Sequence, residues 1–569
     1  MYNRIREEIK KSVESAVCEK ISLEEIQESQ LGDFSFKTFK LAGKLKKSPA
    51  DIAKELSGKI KTTKFVKKVE SSEAYVNFFL DYNSLLLEFL KEVNNRENYG
   101  KEKTKNKKII LEHTSINPSG PIHVGRLRNS LIGDALSRIL KFSGYDIETH
   151  YYVNDIGKQI AIIALGFVEN LPTDQEVVEK YDTYKEKEDF QIFFEYVAAN
   201  KKFQEDEAFQ ERVQKLIQNA ESGNKKTLDI IRDVAKKCLI GQKKTFDRLN
   251  INFDSFDFES RYIENGDVEK VLSKLRKSEV RKENELGFGL DLEKFGLQRR
   301  EAITVLSRSD GTSVYITRDL CYHLEKATLG DEMINVLGED HKFEFLELKC
   351  ILENFLGLKK PLNVVHFSFV NFEGEELSTR KGLIVPVDKL IDDAIEKAEN
   401  EVEKRKIASK EIAPMIGIGA IKYHILKTSP QKQITFKWDE ALNFDGETAP
   451  YIQYAHARCC SILKNFEKKI DKINVKKIDS ELADEEKILL KRLLTFSHTV
   501  ENSAKELKPN IIANYLYELA SDFSRFYKNC QVLGVDEKIS ERRILLVNAT
   551  RIVTKNGLGL LGIDAPEQM

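Results

Sequence analysis

The sequence predicts an α/β protein built on a parallel sheet, with a small α+β domain before it and an all-helical domain after it. Three observations carry that prediction. A strand, loop, helix and strand follow one another from residue 109, as at the opening of a parallel α/β sheet. The same order of apolar strand, polar turn and amphipathic helix returns near residue 333. From about residue 410 onward, helix follows helix and no strand signal is convincing. The chain has 569 residues, too many for one ordinary core, so several domains are expected.

Residues 1–98 alternate helical patterns with short strands such as Ala74-Tyr-Val-Asn-Phe-Phe-Leu80 and form the first expected domain. The lysine-rich stretch Lys101–Lys108 reads as a linker into a central α/β domain spanning 99–405. There Ile109-Ile-Leu111 ends in the Gly/Pro-rich loop Thr114-Ser-Ile-Asn-Pro-Ser-Gly-Pro121. A helix follows, because Val124, Leu127, Leu131, Ala135, Leu136 and Ile139 recur at three- and four-residue spacing and Gly144 can stop it. Asp146–Val153 is the next strand. Met333–Leu337 and Val364–Phe372 are later ones, the last leading into Glu373-Gly-Glu-Glu-Leu-Ser-Thr-Arg-Lys-Gly382. The stretch from about 165 to 300 is highly charged and helical in pattern, an inserted connecting region. Residues 406–569 form the helical domain.

Hydrophobic residues make up 41% of the chain, ordinary for a globular protein. No apolar run is long enough to span a bilayer, and the N-terminus lacks the apolar centre of a secretory signal, so a cytoplasmic location is expected. Charged residues reach 32%, yet the net charge is −1, so RNA would have to be held by local basic patches such as Lys59–Lys68 or Lys101–Lys108. The seven cysteines form no Cys-x-x-Cys pair, which points to free thiols rather than a metal site or a disulfide framework.

The loop Ser115–Arg126 lies where a strand ends and a helix begins. Free backbone N–H groups and the helix dipole favour a phosphate there. Gly125 lets a base or phosphate approach, His123 offers a donor, and Arg126 and Arg128 add positive charge. His-x-Gly alone is equally compatible with an ordinary helix start.

The longer string resembles the first signature of class I aminoacyl-tRNA synthetases, and its surroundings resemble the arginyl-tRNA synthetases, the archaeal form especially. Glu112, Asn117 and His123 match that family's spacing. So do Tyr151–Gly157, Asp310–Asp319, Leu377–Gly382 and Phe444–Arg458, and Gly32–Phe34 with Ala74–Phe78 resembles its extra N-terminal domain. The resemblance implies a Rossmann-like catalytic domain, an N-terminal domain that touches tRNA, and a C-terminal anticodon-binding domain. The implied activity is arginine–tRNA ligation: ATP converts L-arginine to its adenylate, and the arginyl group passes to the 3′ end of tRNA(Arg). The implied partners are tRNA(Arg), L-arginine and ATP with Mg2+, and no membrane; a monomer is expected, and the family usually needs tRNA present before it activates arginine.

Site residues carry over position by position. His123, Gly125, Ser378, Thr379, Arg380 and Lys381 are implied for ATP. Glu112 and Asn117 are implied for the α-amino group of arginine, and Tyr315 and Asp319 for its side chain. Tyr315 and Asp319 are four apart and so share a helix face. A planar, permanently cationic guanidinium calls for a carboxylate in bidentate geometry. Tyr451, Tyr454 and Arg458 share a helix face, where two aromatics and a cation suit unstacked anticodon bases, with Tyr527 a weaker contact. No metal ligands are legible.

Two departures matter. The second His of the first signature is Arg126, and the second signature, usually Lys-Met-Ser-Lys-Ser, reads Glu376-Leu-Ser-Thr-Arg380. Many family members also have lysine where this chain has Gly120. Positive charge on the leaving pyrophosphate is then expected from Arg126, Arg380 and Lys381. Two rival readings are a class I synthetase for another amino acid and a silent tRNA-binding relic. Missing zinc ligands and a missing editing domain weigh against the first, the intact Glu112, Asn117, His123, Tyr315 and Asp319 against the second.

Overall fold

A computed structural model describes residues 1–22, 26–28, 31–94, 96–298, 303–372, 384–405, 410–476, 478 and 481–569. At the N-terminus, helix Tyr2–Val17 buries Tyr2, Ile5, Ile9 and Val13 as one stripe along its length. These four recur at three- and four-residue steps, and the helix shares one core with an antiparallel sheet ordered Ile26–Glu28, Phe34–Lys37, Tyr75–Leu80, Val66–Ser72. Helix Tyr82–Val93 leads out of this unit, its first N–H groups capped by the Asp81 carboxylate.

The central sheet has five strands, all parallel: β1 (Lys108–Glu112), β2 (Asp146–Val153), β3 (Ser255–Phe258), β4 (Glu332–Gly338) and β5 (Leu362–Phe367), in the order β5-β4-β1-β2-β3. The chain runs outward from β1 to β3, then returns to β4 on the other side of β1. The strand order therefore reverses between β1 and β4, and a ligand crevice belongs at the carboxyl ends of those two strands. Ile109, Ile110 and Leu111 are buried on both faces of β1 as a central parallel strand requires. Helix α1 (Val124–Phe142) buries nearly its whole first four turns, and each large aliphatic residue so covered contributes about 1.5–3 kcal/mol.

Three expectations need correction. Val364–Phe372 is not one strand. β5 ends at Phe367, and Val370–Phe372 leaves the sheet to pair in parallel with Ile434–Phe436, a strand inside the region read as purely helical. The stretch 165–300 is not only an insertion of helices. Helices Lys158–Glu169, Glu188–Glu205, Glu207–Glu221 and Lys225–Arg248 pack together, but the chain then supplies β3 to the central sheet. It next forms an antiparallel sheet of Arg281–Asn284, Gly287–Leu290 and Thr304–Arg308. Finally, the run Lys101–Lys108 is partly structural. Lys107 and Lys108 pair with Glu332 and Glu148 at 2.5 Å each, at the end of the sheet away from the crevice.

Helix α2 (Tyr315–Leu329) precedes β4, and α3 (Val387–Lys404) leads toward the C-terminal helices. Those include α4 (Ala449–Lys464), α5 (Asn510–Asn529) and Glu537–Leu560. The chain end is docked: Gln453 donates to Asp564 O at 2.9 Å, and His456 Nδ1 bonds Pro566 O at 2.9 Å. All seven cysteines are free, and no helix among the described residues is long and apolar enough to cross a membrane.

Candidate active site

The loop after β1 is built from the residues that precede α1. Thr114 and Ser115 both take positive φ, 74° and 43°, unusual for side-chain-bearing residues and sustained only where surroundings fix the backbone. Here they do. Thr114 N donates to Asn129 Oδ1 at 3.0 Å, and Tyr151 Oη both accepts from Ile116 N and donates to Ile116 O. Gly120, at φ 152°, faces Phe193, whose Cβ lies 3.0 Å from where a side chain would begin. A side chain here would require the buried Phe193 to give by a few tenths of an ångström, on a backbone conformation that side chains rarely adopt.

His123 is the N-cap of α1, and its Nδ1 is buried without a partner. Burial, helped by the nearby Arg126 charge, pushes its imidazole down to about 4, so it is neutral at physiological pH. The His123 ring lies 3.2 Å from the position a Cβ on residue 125 would take, so Gly125 leaves the ring its place. Val124 N donates to Val385 O and Val387 N to Ile122 O, stitching the first signature to the segment that emerges from the second. The second signature itself, with Ser378, Thr379, Arg380 and Lys381, lies outside the described residues. Arg126 is half-buried on the first turn of α1. Arg128, expected beside it as a phosphate charge, is instead fully buried. Its guanidinium donates to Ser368 O, Lys432 O and Ser429 O at 2.5, 2.7 and 2.9 Å. Two residues along a helix is about 200° of rotation, so the two arginines face opposite sides.

Glu112 is the last residue of β1, Asp319 sits in the second turn of α2, and both lie at the switch point. Glu112 Oε1 accepts from Ser115 Oγ at 3.3 Å and Oε2 from Lys326 at 2.5 Å. Asp319 Oδ1 bonds His323 Nδ1 at 2.9 Å, and its side chain keeps 35% exposure. Burial alone would raise the Asp319 carboxyl, but His323, with Lys326 behind it, outweighs burial and holds it below the ordinary carboxylate value. Tyr315 is 53% exposed, with the Arg318 guanidinium 5.3 Å over its ring. Its hydroxyl lies 2.9 Å from where Gly157 would carry a Cβ, so the glycine makes room for it. Asn117 is exposed and donates to Gln159 Oε1 at 2.8 Å.

Sequence reasoning passed over two groups. Glu259, just beyond the carboxyl end of β3, is fully buried. It accepts from Arg318 Nε at 2.5 Å and, with the Asn154 amide turned to suit its neighbours, from Asn154 at 2.8 Å. Tyr152 Oη is buried without a partner, within electrostatic reach of Glu259 and Asp319. Tyr152 was findable by asking which polar residues end a parallel strand, and Glu259 was not, because the short strand before it leaves no periodic mark.

Three family models match the chain. Residues 89–438 match "tRNA synthetases class I (R), catalytic domain", 2–80 "Arginyl tRNA synthetase N terminal domain" and 452–569 "DALR anticodon binding domain". The chain belongs to the arginyl-tRNA synthetase family. It is 41% identical to the arginine–tRNA ligase of Methanocaldococcus jannaschii, covering 99% of this chain and 98% of that one. It is 38% identical to that of Methanothermobacter thermautotrophicus, covering 100% of both. The Thermus thermophilus arginyl-tRNA synthetase structure superposes with a TM-score of 0.79 at 28% identity, covering 99% of this chain and 100% of that one.

Among the C-terminal helices of this synthetase, α4 and α5 frame an open groove of about 1380 Å³ lined by Tyr454, Arg458, Tyr527 and the last residues Glu567–Met569. The Arg458 guanidinium lies 4.7 Å from the centres of both the Tyr454 and Tyr527 rings. Tyr451 is turned elsewhere: its hydroxyl donates to Ser524 Oγ at 3.1 Å and its ring packs on Tyr517. The expected trio of Tyr451, Tyr454 and Arg458 lies wholly on α4, and the structure groups Tyr454 and Arg458 with Tyr527 of α5 instead.

Proposed function

We propose that this chain is an arginine–tRNA ligase: it activates L-arginine with ATP and transfers the arginyl group to the 3′ end of tRNA(Arg). The observation that carries the reading is the crevice between β1 and β4. It sets an ion-paired Glu112 and a partly open Asp319 carboxylate beside a helix N-terminus suited to phosphate.

In this scheme the guanidinium of arginine pairs with Asp319, with Tyr315 along its side chain and the buried Glu259, itself paired with Arg318, behind. Glu112 and Asn117 hold the α-amino group. The substrate carboxylate oxygen attacks the α-phosphorus of ATP, an acyl–phosphate bond forms, and the bond to pyrophosphate breaks. His123, neutral, donates a hydrogen bond to the phosphates rather than a charge. Gly125 with Ser378 and Thr379 lines the nucleotide, and Arg126, Arg380 and Lys381 meet the charge that builds on pyrophosphate. Magnesium enters as the counter-ion of the ATP phosphates. The terminal tRNA ribose then displaces AMP. No protein nucleophile is needed, because positioning and electrostatics do the catalysis.

Residues 1–98 form the domain toward the outer corner of tRNA, 99–405 the catalytic domain with the connecting region at about 165–300, and 406–569 the anticodon domain. Tyr454, Arg458 and Tyr527 receive anticodon bases, with Tyr451 supporting α4 from behind. The enzyme acts as a cytoplasmic monomer. The test is ATP–pyrophosphate exchange in the presence of tRNA. Exchange with arginine and not with lysine is expected. Silence with arginine, with tRNA still bound, would favour a binding-only relic.

A further inference from the structure

The two ends of the arginine crevice are joined by buried polar side chains for which the scheme above has no task. Lys326 is fully buried. Its ammonium donates to Glu112 Oε2 at 2.5 Å and to Asn335 Oδ1 and His323 Nε2 at 3.1 Å each, spending all three of its N–H bonds. Asn335 is the β4 residue paired in register with Glu112 of β1, and its Nδ2 donates to the same His323 Nε2 at 2.8 Å. Two donors aimed at Nε2 make that nitrogen an acceptor. The ring proton therefore sits on Nδ1, which faces Asp319 Oδ1 and Asp319 O at 2.9 Å each. Asp319, His323 and Lys326 stand at i, i+4 and i+7 on α2, so one helix face presents the whole series to the strand ends.

An ammonium without water is costly unless every N–H is met, and this one is met in full. The arrangement has an orienting consequence. The Nδ1–H bond holds one Asp319 oxygen and fixes the plane of the carboxylate. A planar guanidinium needs that plane, whereas a lysine ammonium, a point charge, does not. At the other end, the same ammonium fixes Glu112.

We propose that Lys326 and His323 are positioning residues for arginine, Lys326 holding Glu112 directly and Asp319 through His323, so that the crevice selects guanidinium over ammonium. The proposal rests on reading Asp319 and Glu112 as the arginine contacts. Neither residue touches the substrate.

The test uses full-length K326M, H323L and H323N in tRNA-saturated ATP–pyrophosphate exchange, with D319N alongside. K326M keeps length and loses the charge, and H323N keeps a donor at the place of Nδ1. Expected are an arginine KM raised about tenfold or more in K326M and H323L, an ATP KM within about twofold of the parent, and substantial recovery in H323N. The preference for arginine over lysine as a competing ligand should fall in the first two. An arginine KM in K326M within about twofold of the parent overturns the proposal. So does an H323N as impaired as H323L, a contrast that decides the matter even if K326M does not fold. A parent enzyme without arginine-dependent exchange overturns the substrate reading and the proposal with it. D319N impaired while K326M and H323L are normal overturns the relay and leaves the substrate reading standing.

Discussion

Replacing Asp319 with asparagine removes a formal charge while keeping the shape of the side chain. The amide oxygen can still accept from His323 Nδ1, now 2.9 Å from Asp319 Oδ1, so the local packing on α2 is retained. What is lost is a charge-assisted pairing with the guanidinium, worth about 1.5–3 kcal/mol. Because the side chain is 35% exposed, solvent screens part of the charge, and a figure of about 2 kcal/mol corresponds to roughly 30-fold weaker arginine binding. The assay is the arginine KM in ATP–pyrophosphate exchange at saturating ATP and tRNA, with equilibrium arginine binding measured beside it, since KM equals the dissociation constant only when chemistry is slow. The ATP KM should stay within about twofold. An unaltered arginine KM, or an ATP KM that moves by the same factor, would refute the reasoning.

The pH profile of kcat/KM for ATP should show no inflection near 6.5 from His123, whose imidazole gains its proton only at about 4. An inflection near 6.5 that H123N abolishes contradicts the buried neutral form. R458A should weaken tRNA binding by about 1–3 kcal/mol in filter binding while leaving the arginine KM at saturating tRNA unchanged. K381A should slow adenylate formation on the order of 10²-fold in rapid-quench measurements, with arginine binding nearly intact. G120K should lower the melting temperature rather than speed activation, because Phe193 lies 3.0 Å from the new Cβ and φ is 152°.

The elements that carry period and punctuation were legible in the sequence. The strand before Glu112 and the helix after His123 announce themselves by an apolar run, a Gly/Pro loop and a three-four spacing, and the structure places both as read. β3 was hidden because Ser255-Phe-Asp-Phe258 is four residues long and sits after a stretch of charged helices, so periodicity offers no purchase. The pairing of Val370–Phe372 with Ile434–Phe436 was hidden for another reason: each partner lies 64 positions on, and register across such a gap leaves no local mark. The site divides in the same way. Tyr315 and Asp319 could be placed on one face by spacing alone. Arg128 could have been excluded as a phosphate ligand by the same geometry, two positions from Arg126. His323 could be placed beside Asp319 by that same spacing, whereas Glu259, Lys326 and Asn335 become neighbours of the named residues only once the sheet is assembled, because each comes from a different strand or a later helical turn.

The central claim is that one crevice holds a guanidinium and an α-phosphate at once. A crystal structure with arginine and a non-hydrolysable ATP analogue tests it most directly. The predicted result is a guanidinium about 3 Å from the Asp319 carboxylate, the α-amino group at Glu112 and Asn117, and phosphates over the N-terminus of α1. Arginine bound elsewhere, or a nucleotide away from His123 and Gly125, would contradict it.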